Sequence, residues 1–79
     1  MSLQLLVRHA TFDDASFDSD AENRATAGLT LLQRWFEPQG AAHWLLYQVS
    51  DQPRAQGWLE KSAALGHAPA DAHFLQTAS

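Results

Sequence analysis

The chain has no cysteine in its 79 residues. No disulfide and no thiolate metal site can therefore contribute to its stability, and the lack fits a reducing compartment. Basic residues are also scarce. Five Lys and Arg stand against nine Asp and Glu, for a net charge of -4. That balance excludes the basic surfaces that bind nucleic acid or anionic membranes. No stretch approaches the ~20 apolar residues that a membrane span needs. The opening Met1-Ser2-Leu3-Gln4-Leu5-Leu6-Val7 lacks the basic lead of a secretory signal. A cytoplasmic protein is the expectation.

Catalytic patterns are missing as well. The four glycines (Gly28, Gly40, Gly57 and Gly66) form no phosphate loop. The serines lie in caps, connectors or a helix face rather than on a strand–turn–helix elbow. Paired carboxylates occur only where Asp13, Asp14, Asp18, Asp20 and Glu22 cluster, in a segment that reads as a solvated connector. General acid–base chemistry needs a fixed and partly desolvated pair. The chain is expected to be no enzyme and to carry no cofactor.

What is present is a 46% apolar composition, fitting one small globular domain over residues 1–79. A chain this short buries only ~60% of its unfolded surface, and self-association is one way to bury more. Leu3, Leu6, Val7 and Ala10 have helical spacing, while Leu3, Leu5 and Val7 alternate as in a strand. With no evident strand partner, a helix or arm is the reading. Residues up to 18 then form an N-terminal arm and acidic connector.

Ser19-Asp20-Ala21-Glu22 has the capping-box pattern. It predicts a helix from about residue 20 to Glu37, stopped by Pro38. Ala42, Leu45, Leu46 and Val49 predict a second helix, to about Ser50. Asp51 and Pro53 suit the start of a third, and Gly66 suits its end. Pro69, Ala72 and Leu75 suit a fourth. The expected fold class is all-α, a stack of four to five short helices, with the repeats in residues 19–79.

A shift of 30 residues aligns Arg24 with Arg54, Ala25 with Ala55, Leu29 with Leu59, Ala42 with Ala72, His43 with His73 and Leu45 with Leu75. Such a period suggests about two helix–turn–helix repeats. Trp58, Lys61, Ala63-Ala64, Gly66-His67-Ala68 and Ala70 carry a resemblance to Sel-one-like repeats, relatives of the tetratricopeptide repeats. The resemblance is best over residues 54–72. It implies a non-catalytic adaptor or scaffold that binds a protein or peptide.

On this reading His43, Trp44, Tyr47 and His73 line a partner-binding groove, since aromatic anchors dominate binding energy. Trp35 and Phe36 are adjacent, so one of them is expected in an exposed patch for a partner or a second copy. The N-terminal Leu3, Leu6 and Val7, with Phe12 and Phe17, would cover one end of the stack; otherwise the open repeat ends would drive homo-oligomerisation. A small ligand- or metal-sensing subunit using its histidines is the alternative. No metal site is expected, because stacked repeats set His43 and His73 ~8–10 Å apart and no third ligand is evident. His67 is expected at a helix end.

Overall fold

The computed structural model describes every residue except Met1, His67 and Ser79. It is a sheet protein with helices on one side. In chain order the elements are β1 (Leu3–His9), α1 (Asp14–Ser19), α2 (Ala21–Thr26), β2 (Leu29–Phe36), β3 (His43–Val49), α3 (Gln52–Ala64) and β4 (Asp71–Gln76). The four strands form one antiparallel sheet in the order β2-β3-β1-β4. The two halves, β1-helices-β2 and β3-α3-β4, interleave. This is the split βαβ, or ferredoxin-like, topology.

The all-α expectation and the helical repeat stack are therefore wrong. The reason lies in pairing. Considered alone, residues 3–9 have no strand partner, but the fold supplies two. Leu6 lies opposite Leu46 on β3 and opposite His73 on β4. The burial of β1 alternates, with Leu5 and Val7 buried between less buried neighbours. In β3, Leu45, Tyr47 and Val49 are buried and Trp44, Leu46 and Gln48 less so. That is the period of two that a sheet imposes. The N-terminal segment is thus a central strand rather than an arm over the end of a stack.

The 30-residue periodicity also loses its meaning. Leu45 is 0% exposed and faces the helices, whereas Leu75 is 45% exposed on the other side of the sheet. Val7 meets Leu45 and Ala72 across the ladders, not Ala42 and Ala72. The two copies of the Ala-His-aromatic-Leu phrase are both strands, but they present opposite faces. Leu29 opens a strand while Leu59 is helical.

One predicted helix survives. α3 begins after Asp51, whose carboxylate accepts a hydrogen bond from the Arg54 backbone N–H at 3.1 Å, with Pro53 in the first turn. Gly66 follows its end at φ +79°. Replacing the Asp51 cap with Ala is expected to cost about 0.5–2 kcal/mol, read by urea denaturation. The helix predicted over 20–37 breaks much earlier. α2 ends at Thr26, and Gly28 turns the chain at φ +77° into β2. The capping box does not form: Ser19 Oγ donates back to the Ser16 carbonyl, and Asp20 makes no side-chain cap bond.

The core comprises Leu5, Val7, Leu29, Leu45, Tyr47 and Val49 from the sheet with Ala27 and Ala55 from the helical side. Leu3, Phe12, Phe17, Trp58, Leu59 and Phe74 pack around it. From the helical layer only small residues, Ala27 and Ala55, are buried in this core.

Candidate functional site

The sheet has two unlike faces. The odd-numbered residues of β1 and β3 lie under the helices. The even-numbered ones, Gln4, Leu6 and Arg8 on β1 and Trp44, Leu46 and Gln48 on β3, lie on the other side. His73 and Leu75 of β4 extend this second face through their pairing with Leu6 and Gln4. On the opposite edge Trp35 lies across from Trp44, beyond a bulge at Leu31–Gln33. No element of the chain covers this face among the described residues, because the helices pack on the core side. It carries Leu6, Leu46, Trp44, Trp35 and Leu75, with Leu32 exposed at the bulge.

Polar groups fix one end of this face. Trp44 Nε1 donates to Glu37 Oε2 at 2.8 Å, and Arg8 Nε donates to the same oxygen at 3.2 Å. The Arg8 guanidinium lies 5.9 Å from the Trp44 ring centroid. The hydrogen bonds from Trp44 and then Arg8 hold the Glu37 carboxyl below its ordinary value of 4.5. A depressed carboxyl stabilises the fold above its ordinary pKa and loses that contribution as pH falls through the folded value. Tryptophan fluorescence is therefore expected to change on acidification below about pH 4.5. Glu37→Gln is expected to remove that transition.

Behind the sheet is a cavity of about 570 Å³. Tyr47 of β3 lies at its floor, His9 and Phe12 at the end of β1, Phe17 and Arg24 on the short helices, and Trp58 on α3. Aromatic rings form part of its wall, beside polar residues that include Thr11, Asp13, Ser16 and Ser62. Phe12 stacks on His43 at 4.5 Å and lies 5.3 Å from Phe17, and Tyr47 meets Trp58 edge to face at 6.0 Å. Arg24 lies 3.7 Å over the Phe17 ring and donates to the Phe17 carbonyl. Trp58 Nε1 donates to Asp20 Oδ2 at 2.9 Å, and Asn23 donates to the other Asp20 oxygen at 2.7 Å. The acidic segment is thus partly built into the wall rather than being wholly solvated.

Burial pushes the Tyr47 hydroxyl up from 10 to about 12; Arg24 opposes this, Asp20 adds to it and Arg34 opposes it. The neutral form is favoured by folding. Its stabilisation is complete below pH 10 and is lost as pH rises through the folded value. Tyr47 is the only tyrosine, so tyrosinate absorbance reports it alone. The expected midpoint is about 12, and a midpoint at the ordinary value would contradict the burial. Burial and the nearby His43 together lower the pKa of His9, its partner across the strands.

The sequence-derived groove does not form as one surface. His43 and Tyr47 face the helical side, whereas Trp44 and His73 face the open side. His43 and His73 are on opposite faces, and no group of three or more potential metal ligands occurs among the described residues. Trp35 and Phe36 are 46% and 68% exposed. They point to opposite sides, with Trp35 opposite Trp44 and Phe36 opposite His43. The expectation for His67 lies outside the described residues.

Sequence reasoning missed His9, Arg24 and Trp58 as cavity residues, and Leu6 and Leu46 as surface residues. One signal was present: Phe12 and Phe17 are large apolar side chains within an acidic connector, where a solvated loop has no use for them. Compared with models of known protein families and with curated protein sequences, the chain matches none. The resemblance to Sel-one-like repeats over residues 54–72 is thus local: that stretch runs from α3 into β4 and forms no repeat. Among the described residues no helix is long and apolar enough to cross a membrane.

Proposed function

We propose that this domain is a non-catalytic protein-interaction module whose binding surface is the open face of the sheet, and whose partner is a second copy of the chain. The observation that carries the reading is that Leu6, Leu46, Trp44, Trp35 and Leu75 occupy a face that none of the described elements covers. Antiparallel sheets with one wet face carry polar residues there. This one carries leucine and tryptophan at the centre, the side chains that anchor interfaces.

Two further features bear on self-association. The first is charge. The acidic residues Asp13, Asp14, Asp18, Asp20 and Glu22 all lie on or beside the helices, away from the open face. Arg8 and Glu37 neutralise one another there. Asp71, opposite Arg8 on β4, adds one carboxylate at the edge of the face, so two copies can approach face to face with most of their negative charge held apart. The second is size. Four strands ~4.8 Å apart and about seven residues long at ~3.3 Å each give a face of roughly 19 by 23 Å. Two such faces together span roughly 870 Å² in projection, which places the pairing among weak interfaces, below about 1,200 Å². A two-fold pairing buries the same patch on both copies, with the sheets ~10 Å apart. The expected result is a dimer that dissociates at roughly micromolar concentration.

The absence of cysteine suits a reducing compartment, and the proposal sets the dimer in the cytoplasm. Sedimentation equilibrium tests it. The wild type is expected to be dimeric at high concentration, and Leu46→Glu to be monomeric with an unchanged circular dichroism spectrum. A wild type that stays monomeric throughout would end the proposal.

A further inference from the structure

Glu37 adds no apolar surface to the open face, yet it holds one of the two tryptophans there. It stands on the turn between β2 and β3, and that turn fixes its backbone. The Glu37 N–H donates to the Ala42 carbonyl at 2.9 Å, and the Gly40 N–H donates to the Glu37 carbonyl at 3.2 Å. From this position a single carboxylate oxygen accepts from both the Trp44 indole and the Arg8 guanidinium. Arg8 and Trp44 are direct partners across the β1–β3 ladder, so the three side chains form one unit at the end of the face.

In the free chain that unit lies within reach of water. The Glu37 side chain is 40% exposed and Trp44 is only partly buried. Water can therefore stand in as acceptor when the carboxylate is removed. A second copy laid on the face changes this. The indole N–H is a donor only. Once the face is covered, an indole N–H with no protein acceptor is cut off from water, and a buried donor left unpaired is costly. Glu37 supplies the acceptor in advance, from a turn that two backbone bonds already hold. It also keeps the indole in one orientation, so less side-chain freedom is lost on association.

We infer that Glu37 is a positioning residue for self-association through the open face: it orients the Trp44 indole and satisfies its N–H where a second copy shuts out water. The inference rests on the face-to-face pairing proposed above and names the polar contact on which that pairing depends.

Losing Glu37 also leaves Arg8 unneutralised, which would weaken a covered face for a different reason. The test therefore removes Arg8 from the comparison. Arg8→Met with Glu37→Gln and Arg8→Met with Glu37→Ala carry the same net charge, and only the first offers an oxygen to Trp44. Sedimentation equilibrium of the full chain is expected to give a dimer about tenfold weaker for the alanine variant than for the glutamine variant. Their Tm values, read by tryptophan fluorescence at nanomolar concentration where both are monomers, are expected to agree within about 3 °C.

Equal dissociation constants would overturn the inference and leave the dimer standing. So would a glutamine variant that fails to pair while the wild type does, because the charge pair and not the acceptor would then carry the effect. A Tm loss as large as the loss of affinity would make Glu37 a structural residue only. A wild type that is monomeric at every concentration would overturn both the inference and the pairing beneath it.

Discussion

Leu45→Ala is expected to cost about 2–5 kcal/mol and to leave a large fraction of the chain unfolded. Leu45 lies on β3 between Val7 of β1 and Arg34 of β2, and it is 0% exposed. The cavity left by truncation would lie between two ladders whose hydrogen bonds resist collapse, which places the cost towards the upper part of that range. A domain of this length has only roughly 4–12 kcal/mol of stability in total. Urea denaturation followed by circular dichroism measures the loss. Leu75→Ala is the comparison. Leu75 is 45% exposed on edge strand β4, so its truncation is expected to cost less than about 1 kcal/mol in the monomer. A helical repeat would make these two leucines equivalent, whereas the sheet makes them opposites. Equal effects would argue against the sheet.

Gly28→Ala is expected to be the most damaging of the glycine substitutions. Gly28 adopts φ +77°, a region that costs a residue with a Cβ about 1–3 kcal/mol. A Cβ there would also come within 2.4 Å of Ser50 Oγ. Ser50 cannot turn away without loss, since its N–H and its hydroxyl both donate to the Gly28 carbonyl, at 3.0 and 3.2 Å. This small junction ties the start of β2 to the end of β3. Thermal denaturation is expected to show a lower Tm for Gly28→Ala, and Ser50→Ala in the same chain is expected to restore only part of it, because the backbone strain remains. Gly57→Ala is the control: the position is inside α3 with nothing within 4 Å of the added carbon, so a gain of about 0.5–1 kcal/mol is expected.

These two positions also explain how much of the fold could be read from residues alone. α3 was legible because its signals are local: an Asp cap, a proline in the first turn and a glycine past the end all act within a few residues. The strands were not, for two reasons. Their partners lie far along the chain, as with Leu6 against Leu46 and His73. The second reason is the open face itself. His43-Trp44-Leu45-Leu46-Tyr47-Gln48-Val49 does not alternate cleanly between apolar and polar, because Trp44 and Leu46 occupy the side where a solvated sheet would carry polar residues. With alternation blurred, Ala42, Leu45, Leu46 and Val49 fall into helical spacing by accident. Gly28, inside the helix predicted from about residue 20 to Glu37, is instead the turn that follows α2.

The functional surfaces were legible in part. Trp35, Trp44 and Tyr47 drew attention as aromatic residues, and the chain puts Trp35 and Trp44 side by side on the open face. Tyr47 belongs elsewhere, at the floor of the cavity. Nothing local distinguishes Trp44 from Tyr47. Three residues apart, they would lie on the same side of a helix, but an odd separation puts them on opposite sides of a strand.

A mixture of carbon-labelled and unlabelled chains, examined by isotope-filtered NOE, tests the account most directly. It should give contacts between copies at Leu6, Trp44, Leu46 and Leu75, alongside contacts within each copy from Leu6 to both Leu46 and His73. Contacts between copies that centre on α3, or short-range helical contacts running through residues 43–49, would contradict it.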